Sequence, residues 1–219
     1  MEVGGGGGSI AAWLCRQVGP AGRVVATDIN TRFLEALDCA NLEVRVHNIV
    51  EDELEQGAFD LVHARGVLVH LSQRDKALER MVSALRPGGW VLVEEPDNSS
   101  FVADPRAGPA ACELLAKVLS AIQVATGIDA LYGRRLYADV CAFGLVDVGA
   151  EGRAVFGRGG GTPDAQFMRL TLTQLRDRIV GTGQVSPEEL DTLIALFDDP
   201  DFVWMGPMGV AAWGRRPIG

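Results

Sequence analysis

The residues with the clearest chemical potential stand at the very start of the chain. Glu2 and Val3 lead into five consecutive glycines, Gly4 to Gly8, followed by Ser9 and the apolar run Ile10, Ala11, Ala12, Trp13, Leu14. The pattern reads as a strand end, a glycine turn and a helix start. Glycine has no Cβ and tolerates positive φ, so such a turn lets a ligand approach the bare backbone, and the helix behind it offers free N–H groups. Twenty residues after Gly8, the apolar run Val24, Val25, Ala26, Thr27 ends on Asp28. A carboxylate at that separation can accept hydrogen bonds from two ribose hydroxyls, so the pair points to a nucleoside cofactor. A glycine run alone reads equally as a linker. Periodic structure directly behind this one, and the acidic strand end downstream, argue for a turn.

Other candidates fall where later apolar runs end. Asn48 and Ile49 follow Leu42 to Val46; Ala64, Arg65 and Gly66 close Phe59 to Ala64; Glu95 and Asp97 follow Trp90 to Val93. For proton transfer the candidates are His70 and Glu95. His70 is read two ways, as a base facing a substrate or as a core histidine bonded to backbone, although its ordinary pKa near neutrality suits a base. Glu95 and Asp97 line a pocket or sit in a solvated loop. His63 lies inside a strand and suits catalysis less. The acidic run Glu51 to Glu55 reads as a solvated face, and Trp204, Met205 and Met208 as core packing or a substrate border.

These residues need a scaffold that brings strand ends together. Helical character over Ser9 to Val18 stops at Gly19, Pro20, Ala21, Gly22. Arg23 to Asp28 is a strand, Asn30 and Thr31 can cap a helix over Arg32 to Cys39, and Leu42 to Val46 is a third strand. Phe59 to Ala64 is a fourth, Leu71 to Leu85 a helix capped by Ser72, and Trp90 to Val93 a fifth strand after Arg86, Pro87, Gly88, Gly89. Strands alternating with helices imply parallel βαβ units, whose ligands lie at the carboxyl ends of the strands. From Asn98 to Thr126 the pattern changes to a loop and an apolar helix over Ala110 to Val124. Then come a helix over Arg134 to Phe143, a long strand element over Leu145 to Phe156, and Gly157 to Gly161 as a flexible turn. Helices over Thr162 to Val180 and Ser186 to Phe197 follow, the latter opened by a capping-box pattern, and a last strand spans Met208 to Trp213.

Composition bounds the rest. The chain has 219 residues, 47% hydrophobic and 22% charged, which suits one globular domain with a substantial core. A net charge of −9 without a basic stripe argues against nucleic acid. Cys15, Cys39, Cys112 and Cys141 form no CxxC pair, so free thiols are expected and a metal site is not. No apolar run approaches the ~20 residues that cross a bilayer, and no secretory leader pattern precedes the glycine turn. A cytoplasmic location without membrane partners is the expectation. Glu2 and Val3 leave little of the strand that should feed the turn, where a buried strand usually needs about 5 residues. An upstream segment missing from this chain is therefore expected.

Taken together, these motifs resemble a class I S-adenosylmethionine-dependent methyltransferase. Glu2, Gly4, Gly6 and Gly8 match the acidic-x-GxGxG motif, Asp28 the ribose-binding acid, and Asn48 with Ile49 the adenine-contacting pair. Phe59, Asp60, Leu61, Val62 through Leu68, His70 and Leu71 resemble the fourth-strand motif. Leu85, Arg86, Pro87, Gly88, Gly89 resemble the loop before strand five and make the most specific piece. The resemblance implies a Rossmann-like α/β fold with a mostly parallel seven-stranded sheet flanked by helices, its first strand truncated here and a helical insert over 98–126 capping the substrate. It also implies S-adenosylmethionine as cofactor. The amino-acid part would lie on the glycine turn, helped by Glu2 and the backbone at Ala64, Arg65 and Gly66, with adenine between Ile29 and Ile49. Asn48 stands where the family has Asp, and its side-chain oxygen can still accept from the adenine amino group. The methyl acceptor would be a small molecule reacting at oxygen, nitrogen or carbon, and a homodimer is compatible with the sequence. Two alternatives stay open: an NAD(P)-dependent oxidoreductase, and a non-catalytic cofactor-binding or scaffold domain.

Overall fold

The computed structural model describes residues 1–218. In chain order its elements are β1 (Glu2–Val3), α1 (Ser9–Val18), β2 (Val24–Asp28), β3 (Leu42–Val46), β4 (Phe59–Arg65), α2 (Arg74–Ala84), β5 (Leu85–Asp97), β6 (Val102–Ala103) and α3 (Pro109–Thr126). There follow α4 (Gly133–Cys141), β7 (Val146–Arg153), β8 (Phe156–Arg158), α5 (Pro163–Gln174), α6 (Arg176–Gly181), α7 (Pro187–Leu196), β9 (Val203–Met205) and β10 (Met208–Arg215). The chain divides into two compact units, one of Met1–Glu95, Gly133–Glu151 and the residues from Val210, the other of Pro96–Tyr132 and Gly152–Gly209.

The first unit is built on a seven-stranded sheet of order β3-β2-β1-β4-β5-β10-β7. β1 pairs in parallel with both neighbours, Glu2 opposite Ala26 and His63, Val3 opposite Thr27 and Ala64. β3 runs parallel to β2, and β5 parallel to β4. The strand order reverses between β1 and β4, so the connections leaving their carboxyl ends part and open a crevice there. Val25, Ala26, Val62, Ala64, Val91 and Val93 are fully buried, which explains why these strands read as continuous apolar runs. α2 turns Ala77, Leu78, Met81 and Ala84 inward at helical spacing.

The second unit packs α3, α5, α6 and α7 with an antiparallel sheet of order β6-β9-β8. Leu115, Val118, Leu172, Ile179, Leu190 and Leu193 bury around three aromatic rings. Phe197 meets Phe202 and Trp204 edge-on at 5.4 and 4.9 Å, the favoured T-shaped geometry. The helical segment expected over 98–126 thus belongs to a larger body that includes the later helices. α7 opens with the expected capping box, the Ser186 hydroxyl accepting the Glu189 N–H and the Glu189 carboxylate accepting the Ser186 N–H.

Several expected elements differ. Residues 32–36 form turns and 37–39 irregular chain instead of a helix. Eight residues make about two helical turns, too few to persist without a well-packed face. β5 extends through Arg86, Pro87, Gly88 and Gly89, with Phe59 opposite Leu85 but Leu61 opposite Trp90. Five residues of β5 therefore match two of β4, and the motif forms an irregular strand entry instead of a separate loop. The helix expected over Thr162 to Val180 breaks at Leu175, whose ψ of 1° leaves the helical range. Gly157 and Arg158 belong to β8, and Gly159 donates to the Phe202 carbonyl at 2.9 Å, so this cluster is a packed element where a flexible turn was expected.

Candidate cofactor site

At the end of β1 the chain takes three left-handed glycines, Gly4, Gly6 and Gly8, with φ of 64°, 48° and 79°. A Cβ on Gly4 would stand 2.4 Å from Val67 Cγ2, so only glycine lets the segment after β4 approach. A Cβ on Gly6 would meet nothing nearer than 4.0 Å, leaving its backbone bare. The turn is held from within by Gly8 N–H donating to Gly5 O at 2.8 Å, and α1 starts with Ala12 N–H donating to Gly8 O at 2.9 Å. Asp28 fastens it from the side: Oδ2 accepts the Gly6 N–H at 2.9 Å and Oδ1 the Asn30 N–H at 2.9 Å. Each carboxylate oxygen keeps a further lone pair for a hydroxyl donor.

A cleft of about 460 Å³ opens at this edge of the sheet. Its walls bring together Gly4, Gly6, Asp28, Ile29, Asn48, Ile49, Arg65 and His70 from four strand ends. Ile29 is 74% exposed, an aliphatic face open to a flat ring, whereas Ile49 is buried in the floor. Asn48 is more occupied than expected: its Oδ1 accepts the Val50 N–H at 3.0 Å and its own N–H donates to Asp52 Oδ2 at 2.7 Å. One lone pair on Oδ1 remains for an exocyclic amine. Val3, His47, Val67 and Leu71 also line the cleft. Their positions, next to Gly4, next to Asn48 and just beyond β4, were the available signal; their apolar or ambiguous side chains hid it. A second cavity of about 490 Å³, bordered by Met1, Val24 and Phe59, contains none of these strand-end residues.

Four expected site residues stand behind the cleft. Gly8 serves as the N-cap of α1, and Ala64 is fully buried in β4. Glu2 is 2% exposed, its carboxylate at 2.6 Å from Nδ1 of the equally enclosed His63. Glu95 departs furthest from expectation. Also 2% exposed, it accepts the backbone N–H groups of Val67, Leu68 and Val69 at 3.0, 2.7 and 3.2 Å. Burial pushes its pKa up, against those three amides, which favour the carboxylate. Glu95 is thus an anchor for the segment that enters the short 3-10 turn Leu68–His70. His70, at the end of that turn, does face the cleft, and burial lowers its pKa below the ordinary imidazole value. A ring shifted in that direction favours its neutral form, in which one nitrogen can accept a hydrogen bond.

Residues 1–91 match a family model described as a methyltransferase domain. This N-terminal part of the chain is thus similar to S-adenosylmethionine-dependent methyltransferases. The chain is 35% identical over 98 residues to methyltransferase str3 of Strobilurus tenacellus, covering 44% of this chain and 35% of that protein. Against the ubiquinone/menaquinone biosynthesis C-methyltransferase UbiE of Hahella chejuensis it is 34% identical over 103 residues, 43% of this chain and 41% of that one. The chain thus spans less than half the length of these relatives. In fold, this domain resembles a phosphoethanolamine N-methyltransferase of Haemonchus contortus, solved with phosphomonomethylethanolamine and S-adenosylhomocysteine. The TM-score is 0.62 at 18% identity, over 99% of this chain and 48% of that one. The groups in the cleft are compatible with S-adenosylmethionine: a carboxylate at Asp28 that could accept from ribose hydroxyls, bare backbone at Gly6 and an exposed aliphatic face at Ile29.

Proposed function

We propose that this chain transfers the methyl group of S-adenosylmethionine to a small-molecule acceptor. The reading rests chiefly on Asp28, whose carboxylate is tied at 2.9 Å to the Gly6 N–H at the crevice between β1 and β4. When bound, the cofactor supplies a methyl group already activated on a sulfonium, so the protein's task is alignment and exclusion of water. Asp28 orients the ribose, Gly4 and Gly6 let the amino-acid end lie against backbone, and Ile29 covers one face of the adenine. Arg65 and the Val67–Leu71 segment wall the side from which an acceptor would enter. For a hydroxyl or amine acceptor, His70 takes the proton; a carbon acceptor needs a base of its own chemistry.

Calorimetry with S-adenosylmethionine and with NADH tests the cofactor, and binding of NADH alone would sink the reading in favour of a dinucleotide enzyme. A labelled-methyl screen over a metabolite panel tests transfer. A cofactor-binding domain without transfer is the second reading, favoured by the enclosure of Glu95, and cofactor binding with no labelled product from any acceptor would support it. For a hydroxyl or amine acceptor, the pH profile is diagnostic. Because burial lowers the His70 pKa, kcat/KM should hold its plateau to below about 6.5, and His70→Gln should remove the acid limb.

A further inference from the structure

A carboxylate–imidazole–carboxylate chain, enclosed at Glu2 and His63 and partly open to solvent at Glu94, crosses three strands directly behind the glycine turn. His63, in the middle of β4 and 4% exposed, has Nδ1 at 2.6 Å from Glu2 Oε2 on β1 and Nε2 at 3.0 Å from Glu94 Oε2 on β5. Carboxylates only accept, so both ring nitrogens must donate, and the imidazole that satisfies both neighbours is the imidazolium. A neutral ring has one N–H and would turn a lone pair toward one carboxylate. Burial by itself would lower the His63 pKa; the two carboxylates override it and hold the group above its ordinary value.

Glu2 is half of β1, a strand of two residues, and it leads straight into Gly4. The Glu2 side chain lies beneath the turn, its Cγ 3.6 Å from where a Cβ on Gly5 would stand. Thr27 Oγ1 donates to the Glu2 carbonyl at 3.3 Å, and Gly5 N–H donates to Thr27 O at 2.9 Å. So short a strand has few ladder bonds to fix it, and the ionic bridge adds a tie where the turn begins.

We propose that His63 is a positioning residue for the cofactor, tying β1 to β5 across β4 as an imidazolium so that the glycine turn keeps its binding shape. The inference rests on the cleft being the S-adenosyl site. Charged groups near the ring are Glu2, Glu94, Glu151 beside Glu94 in one groove, Arg65 two positions along β4, and the Met1 amino group. The last is held by burial at about 6 and donates to Leu61 O at 2.6 Å.

The test is the dissociation constant of S-adenosylhomocysteine by calorimetry from pH 6 to 9, beside the thermal midpoint of the free protein. A folded-state pKa above the unfolded one gives stability that is complete at low pH and fades as pH rises through the folded value. Wild type should therefore lose about tenfold in affinity, and lower its midpoint, relative to His63→Gln, which reports the titration of ligand and Met1. Glu94→Gln keeps the enclosed Glu2–His63 pair and should move the break to lower pH, which covers the case where His63→Gln fails to fold. The same slope in wild type and both variants would overturn the proposal. Absence of S-adenosylhomocysteine binding at every pH would defeat the site reading instead, with the midpoint slopes still deciding the role of His63.

Discussion

The molecule contains two glycine-rich runs that look alike in sequence and do opposite things. In Gly4–Gly8, a Cβ on Gly6 would reach no atom nearer than 4.0 Å and one on Gly7 none within 4 Å, so the bare backbone faces open space. In Gly157–Gly161, a Cβ on Gly157 would lie 2.1 Å from the Trp204 ring, and one on Gly159 2.0 Å from Asp199 O. The middle of the first run, Gly6 and Gly7, leaves room for a ligand while its ends pack on Val67 and Leu37; in the second, Gly157, Gly159 and Gly160 are filled by the protein's own atoms and Gly161 alone is open. What separates them is not glycine content but whether something on the chain occupies the volume that the missing side chain vacates.

Substitutions can break this contrast. The largest effect should come from Gly157→Val, which drives two methyl groups into the Trp204 ring and should cost about 3 kcal/mol, the upper end of core overpacking. Chemical denaturation would show it, and S-adenosylhomocysteine affinity measured under folded conditions should not change. Next, Asp28→Ala should weaken cofactor binding by ~1.5–3 kcal/mol, the range for hydrogen bonds to a charged group, with a smaller change in stability. An unchanged dissociation constant would contradict the ribose assignment. Gly6→Ala should cost about 1–2 kcal/mol in folding, because alanine resists a φ of 48°, and should weaken the ligand as well. A folding cost from Gly6→Ala with full affinity would mean the ligand does not approach there, and the two runs would then differ less than they seem.

Most of the residues that line the cleft were legible because they stand at strand ends. The glycine turn, Asp28, Asn48 and Arg65 each announce themselves by residue type at a strand end, and a parallel sheet gathers strand ends at one edge. The role of Glu95 was not legible. It falls after the expected strand over Trp90 to Val93, where a site residue would stand, and only the fold shows that β5 runs on to Asp97 and that three amides of a distant segment bind its oxygens. His63 was hidden the same way, since its partners Glu2 and Glu94 lie on strands 61 and 31 residues away in sequence. The second glycine run misled because Trp204, which fills it, arrives 47 residues after Gly157 and through antiparallel pairing that no nearby residue signals.

The anchoring of the Leu68–His70 turn has a consequence for how such a protein changes over generations. Glu95 grips that wall by its main chain, and main chain is the one thing a substitution leaves in place. Leu68 and Val69 are buried, while Val67, His70 and Leu71 face the cleft. Side chains at Val67 and Leu71 can therefore differ in shape while the main chain of the wall keeps its course.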